Sequence, residues 1–118
     1  MPERVLIVDD HVGFRRLAGR LLKEIGREVV GEAGTGEEAL SESRRLKPDL
    51  VLLDIQLPDL DGFVVASTLS SEPQAPAVLL VSSRDARDYG PRLYGCGALG
   101  FMTKGDLSAE SLEALLGP

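Results

Sequence analysis

Residues 50–54, Leu-Val-Leu-Leu-Asp, join an unbroken apolar run to a single carboxylate. Apolar runs also occur at 5–8 (Val-Leu-Ile-Val) and at 77–81 (Ala-Val-Leu-Leu-Val), and polar residues again follow each of them. Continuous apolar runs, rather than alternating ones, are typical of parallel strands that are buried on both faces. The stretch at 50–54 therefore predicts a central strand, and its repetition along the chain predicts an α/β fold.

Segments with helical periodicity separate the apolar runs. In the first segment six apolar residues recur at helical spacing, and we expect all of them to face the core: Phe14, Leu17, Ala18, Leu21, Leu22 and Ile25. Further helices are predicted after a Thr35 cap, over 62–71 and over 108–116. Between 87 and 95 the pair Gly90-Pro91 interrupts the pattern, so the fourth helix should be short and should begin near Pro91.

Five strands in alternation with five helices predict a three-layer α/β/α sandwich. The default arrangement for that count is a flavodoxin-like, five-stranded parallel sheet with strand order 2-1-3-4-5. A chain of 118 residues suits one domain, so residues 1–118 are expected to form a single domain without an output domain.

The net charge, the length of the apolar runs and the cysteine count restrict which classes of protein fit this sequence. A formal net charge of −6 argues against direct binding of nucleic acid, which favours a basic face. Apolar runs are far shorter than the roughly 20 residues that a membrane-spanning helix needs, and the N-terminus does not resemble a secretory signal. The single cysteine, Cys96, is expected to be reduced and structural. We therefore expect a cytoplasmic protein that is not bound to a membrane.

Polar side chains follow four of the predicted strands. They are Asp9 and Asp10, Asp54, Ser82 and, three residues after Phe101, Lys104. The carboxyl ends of parallel strands lie along one edge of the sheet, so we expect these groups to converge there. Three clustered carboxylates repel one another, and Mg²⁺, which prefers oxygen ligands, would relieve that repulsion.

Asp54 is the predicted nucleophile of this site. A carboxylate can attack phosphorus to form an acyl phosphate, while Lys104 pairs with one phosphoryl oxygen and Ser82 donates a hydrogen bond to another. Taken singly, these residues are equally consistent with ordinary loop or turn positions, and only their joint placement favours a site. His11 lacks a second metal-binding partner in the sequence and is expected to be an exposed loop histidine.

At these residues the chain resembles the receiver domains of bacterial two-component response regulators. Five motifs carry the resemblance in order: Val8-Asp9-Asp10, then 49–54, then Leu57-Pro58-Asp59-Leu60-Asp61-Gly62, then Val81-Ser82-Ser83, and finally 97–104, which ends at Lys104. The resemblance implies that Asp54 is the phosphoacceptor for a sensor histidine kinase or a phosphotransfer protein. It also implies a switch rather than a turnover enzyme, one that catalyses only its own phosphotransfer and dephosphorylation.

The resemblance assigns roles to the remaining site residues. Asp10, Asp54 and the backbone carbonyl of Gln56 would bind Mg²⁺, and Asp9 would act through a metal-bound water. Ser82 would swing toward the phosphoryl group and Phe101 would change rotamer. The output would be read at the face of the fourth helix, fifth strand and last helix, by a second copy of the chain or by an effector. Two departures are Gly105, where many receivers have proline, and the Gly90-Pro91 interruption.

Three alternatives remain open at the level of sequence. A phosphohydrolase with an aspartyl intermediate would place a second aspartate two residues after the nucleophile, where this chain has Gln56. A receiver-like module that is never phosphorylated would not need the acidic trio or Lys104. A nucleotide or flavin binder of the same fold would carry a glycine-rich loop after the first strand, where Asp9-Asp10 stands instead.

Overall fold

The computed structural model describes residues 2–117. Its five strands are β1 (Arg4–Val8), β2 (Glu28–Ala33), β3 (Leu50–Asp54), β4 (Ala77–Ser82) and β5 (Gly100–Thr103). Its four α-helices are α1 (Val12–Glu24), α2 (Gly36–Leu46), α3 (Gly62–Ser70) and α4 (Ala109–Leu116). All neighbouring strands are parallel and their order is β2-β1-β3-β4-β5, which confirms the predicted topology.

Two apolar clusters, one on each face of the sheet, make the three layers. Val51 and Leu53 of β3 belong to the cluster under α2 and α3, whereas Leu50 and Leu52 belong to the cluster under α1 and α4. All five residues of β3 are therefore buried. A strand covered on both sides has no polar face, which explains why 50–53 is continuously apolar.

The helix α1 covers the sheet with a narrower stripe than the periodicity predicts. Ala18 and Leu22 are fully buried, and three of the other apolar residues pack against them. Leu17 is 41% exposed, so the prediction that it faces the core is wrong. At 100° per residue, Leu17 lies about 120° around the helix from the midpoint of Ala18 and Leu22, beyond the band that the sheet covers.

The expected fourth helix does not form as an α-helix. Two short 3₁₀ turns, Ala86–Asp88 and Gly90–Leu93, take its place, so residues 2–117 contain four α-helices and not five. Gly90 has a left-handed φ of 60°, and Pro91 stands in the first turn of the second 3₁₀ segment. A left-handed residue cannot continue a right-handed helix, and proline supplies no backbone donor. The expected start near Pro91 is close to the observed Gly90.

The loop between β3 and α3 is held close to the end of β3. A Cβ atom on Gly62 would lie 2.5 Å from the Cα of Ile55, so only glycine allows the chain to pass there. The Asp59 carboxylate accepts hydrogen bonds from the backbone N–H groups of Gly36 (2.7 Å) and Glu37 (3.0 Å) at the start of α2. Both contacts fix the loop that borders Asp54. No helix within 2–117 has the length and apolarity to cross a bilayer.

Candidate functional site

Asp54 is the last residue of β3 and is 2% exposed. Its Oδ1 accepts a hydrogen bond from the backbone N–H of Gln56 at 3.1 Å. Burial, and then the negative charge of Asp9, raise the pKa of the Asp54 carboxyl to about 6, against the opposing effects of Lys104 and the Gln56 N–H. The predicted nucleophile is therefore shielded from solvent but still largely ionised at neutral pH.

Asp9 follows β1 directly and is fully buried. Its backbone N–H donates to the carbonyl of Ala33 at 3.0 Å, which extends the pairing of β1 with β2 by one residue. Its Oδ1 accepts from the backbone N–H of His11 at 2.8 Å. The neighbouring Asp10 side chain is 34% exposed and forms the open side of the site.

Lys104 directly follows β5, the edge strand of the sheet, and its side chain reaches the acids at the carboxyl ends of β1 and β3. Its Nζ lies 2.6 Å from Asp9 Oδ2 and 3.6 Å from Asp54 Oδ2. The same ammonium lies 4.4 Å from the centroid of the Phe14 ring, and its side chain is 18% exposed. The structure thus brings Lys104 to the predicted site, where its nearest carboxylate is that of Asp9.

The acidic groups fit a divalent cation. Asp9, Asp10, His11 and Asp54 each offer a ligand atom, and these atoms all lie within 4.8 Å of one another. Asp9 Oδ2 is buried and its charged neighbour is the Lys104 ammonium, whereas Asp9 Oδ1 faces His11. A set rich in carboxylate oxygens suits Mg²⁺. The proposed ligand role of the Gln56 carbonyl stays a prediction.

His11 is a residue whose position sequence reasoning missed. Its side chain is 71% exposed, as predicted, but Nδ1 lies 3.2 Å from Asp9 Oδ1 and 3.1 Å from Asp10 Oδ1. His11 is also the residue that precedes α1, so the turn into the helix carries its ring back toward the acids. Its place directly after the aspartate pair was the one signal of this contact.

Ser82 ends β4 and is fully buried, but its hydroxyl has partners other than Asp54. Ser82 Oγ lies 2.5 Å from the hydroxyl of Tyr89 and accepts a hydrogen bond from the backbone N–H of Arg84 at 3.1 Å. Tyr89 lies between the two 3₁₀ turns, in the segment where the sequence pattern is weakest. Sequence reasoning therefore did not single it out.

Phe101 lies on β5 and is half-buried. Its ring packs edge-on against that of Tyr89, with centroids 6.1 Å apart, and Tyr89 packs in the same way against Phe63 at 5.5 Å. The two predicted switch residues, Ser82 and Phe101, are therefore connected through Tyr89.

The arrangement of acids, lysine and serine at one sheet edge agrees with comparison to known proteins. A family model described as the response regulator receiver domain matches residues 5–116. The chain belongs to this family. It is a receiver domain of two-component signalling, and the predicted fold and class of function are confirmed.

Relatives of this receiver domain include regulators and solved structures. The response regulator GacA of Pseudomonas viridiflava is 40% identical over 113 residues, which cover 95% of this chain and 53% of GacA. The signal receiver domain of the response regulator NarL from Mycobacterium tuberculosis superposes with a TM-score of 0.86 and 33% identity, over 99% of this chain and 98% of that one. The chain spans about half the length of the curated relatives it matches.

A third comparison is with CheY from Borrelia burgdorferi, solved in a complex with CheX, BeF₃ and Mg²⁺. That structure has a TM-score of 0.88 and 25% identity, and the match covers 98% of this chain and 87% of CheY. The fold of this chain therefore also agrees with that of a protein solved with beryllofluoride and magnesium.

Proposed function

We propose that Asp54 accepts a phosphoryl group from a phosphohistidine of a sensor histidine kinase or a phosphotransfer protein. The observation that carries this proposal is the position of the Asp54 carboxylate, buried beside Asp9 and Asp10 and 3.6 Å from the Lys104 ammonium. Membership of the receiver family supports the same reaction. The phosphoryl donor in such a relay is ultimately ATP, so we place the exchange in the cytoplasm.

The transfer is a displacement at phosphorus. One carboxylate oxygen of Asp54 forms a bond to phosphorus as the bond from phosphorus to the donor imidazole breaks, and the imidazole nitrogen keeps the electron pair. At neutral pH most Asp54 is ionised, because its raised pKa of about 6 still lies below 7. The acceptor oxygen therefore needs no general base.

Asp9, Asp10, Asp54 and the Gln56 carbonyl would hold Mg²⁺, the last of these by resemblance to the family. When bound, the metal supplies positive charge that stabilises the phosphoryl oxygens in transfer. Lys104 is placed to exchange its contact with Asp9 for one with a phosphoryl oxygen. Ser82 donates a hydrogen bond to another phosphoryl oxygen. The same groups would position a water for the slow loss of the phosphoryl group.

The output surface would comprise residues 86–95, β5 and α4. Large apolar side chains on this side are exposed, namely Tyr94 (89%), Leu99 (46%) and Leu115 (38%). Leu115 lies beside β5, since a Cβ atom on Gly100 would be 3.4 Å from its side chain. An apolar surface of this kind suits a second copy of the chain or a downstream effector.

The test is phosphorylation of the purified protein with acetyl phosphate and Mg²⁺, read by intact mass. We expect one added phosphoryl group in the wild type and none in Asp54→Asn. Asp49→Asn is the matched control, because Asp49 directly precedes β3, at the end opposite Asp54, and its substitution should leave labelling unchanged. Asp10→Ala should label far more slowly. Equal labelling of Asp54→Asn would overturn the assignment.

A further inference from the structure

The hydroxyl of Ser82 already has two hydrogen-bond partners in this structure, and neither of them is Asp54. It accepts from the Arg84 N–H and shares a 2.5 Å hydrogen bond with the Tyr89 hydroxyl. A serine hydroxyl has one proton to donate, and a phosphoryl oxygen can only accept. For Ser82 to bind a phosphoryl group, its proton must therefore point at Asp54.

The direction of the Ser82 side chain makes the two contacts exclude each other. Residues of one strand alternate between faces, and on β4 Val78 and Leu80 lie in the cluster that also contains Phe63, so Ser82 points to that face. On β3, Leu50 and Leu52 lie in the opposite cluster, so Asp54 points to the other face. Ser82 must turn away from Tyr89 in order to reach a group on Asp54.

We propose that Tyr89 is a positioning residue that holds the Ser82 hydroxyl away from Asp54 and competes with the phosphoryl group for it. This inference rests on the proposed function, because it concerns the Ser82 contact that phosphorylation would create. The Tyr89 bond stabilises the unphosphorylated arrangement only. Its loss is part of the free energy that phosphorylation must offset.

Tyr89 also connects this exchange to the rest of the molecule. Its ring lies between Phe63 and Phe101, and the Arg92 guanidinium lies 4.3 Å from the centroid of Phe63 while it pairs with Asp61. Phe63 is thus held on one side, whereas Phe101 is half-buried on an edge strand. When Ser82 leaves, the Tyr89 hydroxyl loses its partner, and the ring and Phe101 are able to move together.

The test is the apparent Kd of beryllofluoride, measured by amide chemical shifts in excess Mg²⁺. Tyr89→Phe removes the hydroxyl and keeps the ring, so we expect binding about threefold to tenfold tighter than in the wild type, the range expected for one neutral hydrogen bond. Tyr94→Phe changes the exposed second tyrosine and should bind like the wild type. Thermal melting of each variant checks that the fold is retained.

A double-mutant cycle distinguishes a positioning role from a structural one. Ser82→Ala should bind beryllofluoride more weakly than the wild type, and Ser82→Ala/Tyr89→Phe should bind like Ser82→Ala, because Tyr89 acts through Ser82. Unchanged or weaker binding by Tyr89→Phe, or a gain that persists without Ser82, would overturn the role of Tyr89 while the proposed function stands. Equal affinity of the wild type and Asp54→Asn would instead overturn the proposed function and this inference with it.

Discussion

At the scale of the residue, the surroundings of Asp54 destabilise the ionised form of its carboxylate. The carboxylate is buried next to Asp9, and Lys104 lies 1.0 Å closer to Asp9 than to Asp54, at 2.6 Å against 3.6 Å. One ammonium is therefore shared by two buried acids. Burial and the charge of Asp9 together outweigh Lys104, which is why the pKa of Asp54 is raised to about 6. Repulsion between the carboxylates therefore destabilises the metal-free protein. A divalent cation, alone or together with a phosphoryl group, would reduce that repulsion.

Because the ionised Asp54 carboxylate is buried beside Asp9, we expect Asp54→Asn to stabilise the metal-free protein at pH 7. The pKa of Asp54 rises from 3.8 to about 6 on folding, so the folded state binds more protons between those values and loses stability as pH rises through that window. At about 1.4 kcal/mol per pKa unit, we expect Asp54→Asn to exceed the wild type by about 1–3 kcal/mol at pH 7. The difference should disappear as pH falls below 4. Urea denaturation in EDTA at several pH values measures it.

The control for this pH series is Tyr94→Phe, which changes a side chain that is 89% exposed. Its difference from the wild type should be small at every pH of the series, because no carboxylate is removed. A variant Asp54→Asn that is less stable than the wild type at pH 7, or whose advantage is independent of pH, would show that Asp54 is not under strain.

At the scale of the element, residues 86–95 form two 3₁₀ turns where a regular alternation of five strands and five helices would have an α-helix. Neither of its 3₁₀ turns contains a buried residue, and each contributes only short-range backbone hydrogen bonds, such as Tyr89 N–H to Ala86 at 3.1 Å and Tyr94 N–H to Pro91 at 3.0 Å. β3, by contrast, is buried along its whole length. The segment next to Ser82 is thus held by few contacts, of which the Tyr89 hydroxyl bond is one.

Amide hydrogen exchange should therefore be fastest, among the helices and strands, in the two 3₁₀ turns. Opening of this segment costs few buried contacts, so its amides should exchange by local opening, whereas those of β3 should require global unfolding. Tyr89→Phe should raise exchange at Arg84 and Tyr89 without changing β3. Protection of residues 86–94 equal to that of β3 would contradict this view of the segment.

Another prediction concerns Asp59, whose carboxylate joins the β3–α3 loop to the start of α2. Hydrogen bonds from the Gly36 and Glu37 N–H groups lower the pKa of the Asp59 carboxyl, because they stabilise its charged form at the start of a helix. A lowered pKa contributes stability that is present above the unfolded pKa of 3.8 and is lost as pH falls through the folded pKa.

Asp59→Ala should consequently lower the Tm at pH 7, and the difference from the wild type should narrow at pH 3. Thr35→Ala is the matched comparison, since it removes the helix's own cap, a 3.1 Å bond to the Glu38 N–H, and should cost about 1 kcal/mol at both pH values. Equal Tm values for Asp59→Ala and the wild type at pH 7 would show that the loop is not held by this carboxylate.

At the scale of the whole molecule, the cluster of acids would link the proposed binding of Mg²⁺ to folding. Three acids come from two strands that are 45 residues apart in sequence, as Asp9 and Asp54 show, so only the folded chain assembles the site. A cation that binds the folded state alone stabilises it, by about 2.7 kcal/mol at a concentration 100 times its Kd.

Mg²⁺ should therefore raise the Tm of the wild type in proportion to the logarithm of its concentration above Kd. Asp10→Ala should begin with a higher Tm in EDTA, because one repulsive charge is gone, and should gain much less from Mg²⁺. NaCl at matched ionic strength is the control for screening. A Tm that responds equally to Mg²⁺ and NaCl, or an undiminished response of Asp10→Ala, would exclude Asp10 as a ligand.

The sequence by itself determined which stretches form buried strands and the edge at which the acids meet, and the strand order was predicted as the default for alternating strands and helices. Apolar runs such as 50–53 specify buried parallel strands through their own composition, and the carboxyl ends of parallel strands must share one edge. Asp9, Asp10, Asp54 and Lys104 could therefore be placed together before any coordinate was known. The interrupted pattern at Gly90-Pro91 also marked the weak segment, although it did not reveal that no α-helix forms there.

Only the tertiary structure decided which of these groups touch. The preference of Lys104 for Asp9, the return of the His11 ring to the acids and the hydrogen bond between Ser82 and Tyr89 depend on side-chain directions in loops, and no local pattern encodes those directions. The exposure of Leu17 was settled by how much of α1 the sheet covers. Periodicity and strand ends are properties of short stretches of chain, whereas the partner of a buried hydroxyl or ammonium is chosen by packing between elements distant in sequence.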